Sequence, residues 1–201
     1  MEIQKNTQFP DVRSMNFNGI VSRRLECAGA KPIYRKWTFH IDANPQTPSF
    51  MSKPADENLT HDLQRYLHRC STPDNVALGA APAHTEALIA VRDSWQAMIS
   101  SLHADKDLTG GTLTPQAYME VTLAGELFGG RVEHRVDCIG NDQFGNFFVV
   151  EIGRARKQEQ AEKHLYMART LLPSVSFYGI TALYDIQDIK NSGRVFLRCF
   201  E

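Results

Sequence analysis

The pattern of apolar and polar residues in the first half of the chain predicts one strand and two helices. Apolar and polar residues alternate over residues 33–41, which predicts a strand with one buried face. Apolar residues at helical spacing predict a short helix over residues 59–70 and a longer helix over residues 83–103. The apolar stripe of the longer helix is predicted to be core or an interface. That stripe consists of Leu88, Val91, Trp95, Met98, Ile99 and Leu102.

The second half of the chain has predicted helices and strands in close succession. Thr114 and Pro115 are typical of a helix start, so we expect a helix over residues 116–128 that ends at Gly129-Gly130. After it the pattern predicts strand, strand, helix, strand and strand, which indicates an α/β (α+β) fold. These five elements are predicted over residues 131–139, 146–152, 156–171, 174–186 and 193–200.

A break at "DLTGG" predicts a boundary near residue 110. Residues 1–110 would then form an N-terminal strand-plus-helix subdomain of unknown role. Residues 111–201 would form an α/β core. One continuous domain is the alternative, because 201 residues are within the size of a single domain.

Composition and charge narrow the class of protein. The chain is 42% apolar and 22% charged, as in ordinary globular proteins, and its net charge of −1 gives no general attraction to nucleic acid. A site for a polyanion would have to be a local patch. The sequence has no apolar run long enough to span a membrane and no apolar centre of a signal peptide near its start, which predicts an intracellular protein, cytoplasmic or nuclear. The four cysteines form no CxxC pair and are predicted to be reduced.

The stretch "VDCIGNDQFGNFFVVEIGRARK" has two apolar runs around a polar turn, and each run contains one acidic residue. Asp137 and Glu151 are on consecutive predicted strands, and a turn near residues 143–145 would bring them to the same height on an antiparallel pair. A buried carboxylate needs a partner, and two neighbouring carboxylates repel unless a proton or a cation lies between them. The pattern therefore indicates a divalent metal site. The alternative is a structural hairpin with one solvent-facing acid and one salt-bridged acid.

This order of elements and acids resembles the PD-(D/E)XK nuclease superfamily over about residues 114–186. In that superfamily a helix with a glutamate precedes a hairpin that carries Asp on one strand and Glu-x-Lys on the next, and a further helix and strand complete the sheet. The matching residues here are Asp137 and Glu151-Ile152-Gly153. The resemblance implies a restriction-endonuclease-like mixed sheet flanked by helices, and a nuclease that acts on DNA or RNA.

The resemblance also implies the residues of a Mg²⁺ or Mn²⁺ site. The implied ligands are Asp137, Glu151, the Ile152 carbonyl and Glu120, and Glu126 is a weaker alternative to Glu120. An N-terminal helical histidine serves as a ligand in the cap-snatching branch of the superfamily. His84 has a similar place here, although no neighbouring motif supports it.

The lysine of the motif is replaced by Gly153, so the resemblance implies that a neighbouring cation takes its role. Lys157 is preferred over Arg154 and Lys163, because a lysine donates to water more readily than an arginine and because Lys157 lies at the start of the following helix. Gln158 and Gln160 are candidates for a helix glutamine found in some branches. A local basic patch would hold the phosphates of a nucleic acid. The patch consists of Arg154, Arg156, Lys157 and Lys163.

Two further residues near the acids are predicted to have no catalytic role. By strand alternation His134 faces away from Asp137 and is expected to be structural. Cys138 has no base beside it and is not expected to be a nucleophile.

Three functions remain open from the sequence. The first is a metal-dependent nuclease, and the second is an inactive relative that binds nucleic acid or a protein partner. The third is an unrelated α+β interaction module, for example a homodimer through the N-terminal helices.

Overall fold

The computed structural model describes residues 20–22, 38–41, 50–51, 53–70, 82–103, 110–127, 129–153, 157–184 and 194–201. Within these ranges the chain forms seven strands and four helices. The strands are β1 (Ile20–Ser22), β2 (Thr38–Ile41), β3 (Gln116–Leu127), β4 (Gly130–Asn141), β5 (Asn146–Gly153), β6 (Ser176–Tyr184) and β7 (Arg194–Phe200). The helices are α1 (Glu57–Cys70), α2 (Pro82–Asp93), α3 (Trp95–Leu102) and α4 (Gln158–Leu171).

All seven strands belong to one mixed sheet with the order β1-β3-β4-β5-β6-β7-β2. Strands β3, β4 and β5 pair antiparallel in chain order, and α4 then connects β5 to its parallel neighbour β6. A mixed α/β fold, as predicted, is therefore present. The edge strands β1 and β2 precede residue 110 in the chain, so the sheet contains strands from both sides of the predicted boundary. The boundary itself stays a prediction.

Helices pack on both faces of this sheet. Along β5, Phe148 and Val150 belong to one apolar cluster, and Phe147 and Val149 belong to another. The first cluster includes the predicted stripe of residues 83–103, and the second includes apolar residues of α1 and α4. Because Leu88, Val91, Trp95, Met98 and Ile99 are buried there, the stripe is core. A dimer would need another surface of these helices.

The prediction of a helix over residues 116–128 is wrong, because these residues form β3 as far as Leu127. Ala, Met, Glu and Leu favour helices, but here both faces of the strand are covered, with Met119 in one cluster and Tyr118 in the other. A strand buried on both faces lacks the alternation that identifies a half-buried strand. Thr114-Pro115 is therefore no helix start. Gly129, with φ of 76°, lies in the turn from β3 to β4, where Leu127 pairs with Gly130.

The other predicted elements agree with the described residues to within a few positions. The helix predicted over residues 83–103 is interrupted at Ser94, where φ and ψ are −100° and 5°. Helical hydrogen bonds continue on both sides of Ser94. Of the strand predicted over residues 33–41, only Thr38–Ile41 lies within the described ranges. None of the described helices has the length and apolar character needed to cross a membrane.

Candidate metal centre at a fork in the sheet

The sheet opens between β4 and β5. Their pairing runs from Asn141 and Phe147 to Cys138 and Val150, and the register goes no further. Beyond that point residues 130–136 of β4 pair with β3, whereas residues 151–153 of β5 pair with β6. We call the space between these two segments the fork. One step past the last pair, the register brings Asp137 level with Glu151 at the apex of the fork, at the matched heights expected from the turn.

Asp137 is contacted from three directions. Its Oδ2 accepts a hydrogen bond of 2.8 Å from the backbone N–H of Ile152 and lies 3.5 Å from Lys157 Nζ. Its Oδ1 lies 3.5 Å from His84 Nε2, which approaches from α2. Burial acts to raise the pKa of Asp137, but His84, Lys157 and the Ile152 N–H together hold it below its usual value. The carboxylate is therefore kept charged by the groups around it.

Glu151 is fully buried, and its two neighbours are His164 and Lys157, of which only Lys157 is shared with Asp137. Its Oε1 lies 2.6 Å from His164 Nδ1 of α4, and its Oε2 lies 3.4 Å from Lys157 Nζ. Burial raises the pKa of Glu151 and the charge of Asp137 raises it further, against the opposing effects of His164 and Lys157. The two level carboxylates thus differ in their tendency to hold a proton.

Lys157 fills the space that a side chain at residue 153 would occupy. A Cβ added to Gly153 would lie 2.7 Å from Cε of Lys157 and 3.0 Å from its Cγ. The stem of Lys157 therefore crosses over Gly153, and its ammonium reaches both acids and donates to Gln160 Oε1 at 3.0 Å. A lysine from the start of α4 thus stands where the motif has a lysine on the strand.

Glu120 lies on β3 and not on a helix, but it still belongs to the site. Met119 pairs with Cys138 and Val121 with Val136, so Glu120 lies between these pairs, opposite Asp137. Its φ of 55° is in the left-handed region, where a residue other than glycine is strained. The side chain is fully buried, and burial raises its pKa, against the effect of Arg135.

The charge of Glu120 is incompletely compensated. Arg135 Nε lies 2.9 Å from Glu120 Oε2, which is an ion-pair distance. The contact lacks the alignment of a hydrogen bond, and neither carboxylate oxygen of Glu120 has a hydrogen-bond partner within the described part of the chain. A buried carboxylate in this state is costly unless a cation completes its coordination.

One ligand atom each from His84, Glu120 and Asp137 lies within 4.8 Å of the other two. An imidazole nitrogen and two carboxylate oxygens are a donor set suited to Mn²⁺ and related divalent ions. The orphaned oxygens of Glu120 agree with such a use. Asp137 and Glu120 of this group are also among the ligands that the resemblance implies, whereas His84 is not. Glu151 lies beside the group, held by His164 and Lys157.

The remaining predicted residues are less closely placed or lie elsewhere. Arg154 and Arg156 are outside the described residues, and Lys163 is on the exposed side of α4. Ile152 contributes its N–H to Asp137, and no contact of its carbonyl with the site is described. Glu126 is exposed and lies opposite Arg131, away from the apex.

Contacts or burial are also known for three other residues near the site, which are His134, Gln158 and Cys138. The His134 ring is 5.5 Å from the ring of His164, and Gln158 donates to Glu162 on the exposed side of α4. Burial raises the pKa of the Cys138 thiol far above its usual value, which agrees with the expectation that it is no nucleophile.

Sequence reasoning missed His164 and Arg135 and gave His84 little weight. His164 had a local signal, because it shares the inward face of α4 with Ala161, Leu165 and Ala168. A histidine on a buried helix face requires a polar partner, and Glu151 is that partner. Neither His84 nor Arg135 had such a signal, since their roles depend on how distant segments pack.

Comparison of the chain with protein-family models, with curated proteins and with solved structures finds no match in any of the three. The chemistry of the site therefore has to be inferred from its own distances, burial and charges.

Proposed function

We propose that the protein is a metal-dependent nuclease that hydrolyses phosphodiester bonds of DNA or RNA at the fork. The supporting observation is the convergence of Asp137, Glu151 and Lys157 at the apex, with Lys157 Nζ within 3.5 Å of both acids. Glu120 adds a buried carboxylate that lacks hydrogen bonds. A cluster with only a structural role would be expected to satisfy its charges more fully.

The order of elements supports a restriction-endonuclease-like interpretation of the mixed sheet. The strand with Asp137 is followed by an antiparallel strand with Glu151, then by α4, and then by β6 parallel to β5. This is the arrangement that the resemblance requires. The departures concern the elements before the hairpin, because the strand β3 directly precedes it and carries Glu120, and the earlier helix α2 contributes His84. In this respect the site is more similar to the branch that uses a helical histidine.

His84, Glu120 and Asp137 would hold the divalent ion. The imidazole favours Mn²⁺ over Mg²⁺, which prefers oxygen ligands alone. A bound ion of this kind polarises a phosphoryl oxygen and lowers the pKa of a coordinated water.

The other side chains at the apex would position the water and stabilise charge. Lys157 Nζ would bind the attacking water and stabilise the charge that develops on the phosphate. Glu151 Oε2, which faces Lys157, would accept a proton from that water, and its raised pKa makes it a stronger base than an exposed carboxylate. His164 Nδ1 would keep the other oxygen of Glu151 in place. Arg154, Arg156 and Lys163 would bind neighbouring phosphates.

A cleavage assay tests the proposal directly. Single- and double-stranded DNA and RNA are incubated with Mn²⁺ or Mg²⁺ and with wild-type, Asp137→Asn, Glu151→Gln or Glu126→Gln protein. We expect the first two variants to lose activity by about 100-fold or more, as when a group that stabilises a transition state is removed. The exposed Glu126→Gln control should cleave as the wild type does.

Two results would contradict the proposal. One is cleavage by Asp137→Asn at the wild-type rate. The other is metal-dependent binding of nucleic acid without cleavage of any substrate, which would favour the inactive relative.

A further inference from the structure

The ion pair between Arg135 and Glu120 joins two side chains in opposite environments. The Arg135 side chain is 54% exposed, whereas that of Glu120 is 0% exposed, and Nε and Oε2 are 2.9 Å apart. Water around the exposed guanidinium screens its charge and weakens such an ion pair. Arg135 therefore offsets only part of the cost of burying Glu120.

The strand geometry allows the Arg135 side chain to move away from Glu120. It lies in the fork segment of β4, where its register partner is Thr122 of β3 and β5 no longer pairs alongside. Its contact with Glu120 lacks hydrogen-bond alignment. An exposed guanidinium on an open edge can change rotamer without displacing the core.

The metal group and Arg135 compete for the same carboxylate. Glu120 supplies one of the ligand atoms that lie within 4.8 Å of those of His84 and Asp137. A divalent ion bound there would repel a guanidinium held at ion-pair distance from Glu120. The displaced guanidinium would be two residues from Asp137, at the mouth of a site proposed to receive a phosphate.

We infer that Arg135 is an exchangeable counter-ion of Glu120, which it neutralises until a divalent ion binds, and that it then binds a phosphate of the substrate. The inference rests on the proposed metal site and adds a substrate-binding residue to it. The planar guanidinium can donate two parallel hydrogen bonds to a phosphate, which its present contact with Glu120 does not use.

Isothermal titration with Mn²⁺ tests the exchange without any catalysis. The proteins compared are the wild type, Arg135→Gln, Arg135→Lys and Arg131→Gln. Arg131 is the matched control, because it is an exposed arginine of the same strand with Glu126 as its register partner. We expect Arg135→Gln to bind Mn²⁺ about threefold more tightly than the wild type, as expected from removing a weakly paired competing charge. Arg135→Lys, which keeps the charge, and Arg131→Gln should remain near the wild-type affinity.

Oligonucleotide binding tests the second half of the inference. A fluorescent oligonucleotide of the type that the wild-type protein cleaves is titrated by anisotropy in the Glu151→Gln background, with and without Mn²⁺. With Mn²⁺, Arg135→Gln should weaken binding by about tenfold, the loss of a charge-assisted hydrogen bond to phosphate. Without Mn²⁺ the loss should be below about twofold, since Arg135 is then engaged by Glu120. Should Arg135→Gln fail to fold, Arg135→Lys takes its place here. It keeps the charge but loses the paired donors of the guanidinium, so we expect a smaller loss of affinity that is again seen only with Mn²⁺.

The outcomes separate this inference from the proposed function. Equal or weaker Mn²⁺ binding by Arg135→Gln, or a loss of oligonucleotide affinity that is the same with and without Mn²⁺, overturns the exchange and leaves the nuclease proposal standing. Absence of Mn²⁺ binding by the wild-type protein overturns both.

Discussion

The two ends of the β4–β5 pair both contain buried acids, but only one end satisfies them fully. At the closed end, the turn from Asn141 to Asn146, Asp142 Oδ1 accepts hydrogen bonds from the N–H groups of Phe144 and Asn146. Asp142 Oδ2 accepts from the Asn146 side chain and lies 3.0 Å from His103 Nε2. The carboxylate of Asp142 has partners on both oxygens.

The open end, the fork, leaves one of its acids, Glu120, less completely paired. Glu120 is as buried as Asp142, but neither of its oxygens has a hydrogen-bond partner among the described residues. At the closed end only single atoms of His103 and Asn146 lack partners. The difference indicates that the closed end stabilises the hairpin, and it supports the proposal that the open end binds a cation and a substrate. Three predictions test this contrast.

The largest effect on stability is expected at the closed end. Asp142→Ala removes the partner of two backbone N–H groups and leaves the His103 side chain buried, so we expect the free energy of unfolding to fall by about 3–5 kcal/mol. Asp137→Ala at the open end removes one backbone hydrogen bond and should cost about 1 kcal/mol. Urea unfolding of both variants in EDTA measures the difference. Equal losses would mean that the two ends do not differ as described.

An intermediate effect, on cleavage activity alone, is expected from moving the lysine from residue 157 to residue 153. Lys157→Met should reduce cleavage by about 100-fold, because the ammonium that faces both acids is lost. In Gly153→Lys/Lys157→Ala the stem that would clash with a side chain at residue 153 is absent, so the new lysine can reach the acids from the strand. We expect this double variant to recover most of the lost activity.

The matched control for this experiment is Gly153→Lys alone, in which two lysine side chains compete for one space. It should be less active than the double variant. Activity of the double variant no higher than that of Lys157→Met would contradict the role given to Lys157.

The smallest effect is a pH-dependent gain in stability from Glu120→Gln. Burial raises the pKa of Glu120 above its ordinary value of 4.5, so the folded protein binds this proton more tightly than the unfolded chain. The contribution of Glu120 to stability is therefore highest below pH 4.5 and falls as the pH rises through its folded-state pKa. A glutamine carries no charge and avoids this loss of stability. In EDTA at pH 8 we therefore expect the free energy of unfolding of Glu120→Gln to exceed that of the wild type by about 1 kcal/mol.

The gain should disappear below pH 4.5, where Glu120 is protonated in both states. The exposed Glu126→Gln serves as control and should change stability little at either pH. A constant difference between Glu120→Gln and wild type across this range would show that the buried charge is not its cause.

The sequence predicted the elements that depend on local signals. The two apolar runs and the polar turn of residues 131–152 predicted β4 and β5, and counting through the turn predicted that Asp137 and Glu151 would be level. Strand β3 was mistaken for a helix, because its helix-forming residues are buried on both faces and only pairing with β4 makes them a strand. The approach of His84 and the fork itself could not be predicted, because they depend on where distant segments pack and where pairing stops.

The central claim is that His84, Glu120 and Asp137 hold a divalent ion at the fork. Crystals soaked in MnCl₂ and measured near the manganese absorption edge test it most directly. The account predicts one anomalous peak within about 2.0–2.4 Å of a His84 nitrogen and of carboxylate oxygens of Glu120 and Asp137. It also predicts a changed rotamer of Arg135. A fully ordered fork with no anomalous peak, and with Arg135 still beside Glu120, would contradict it.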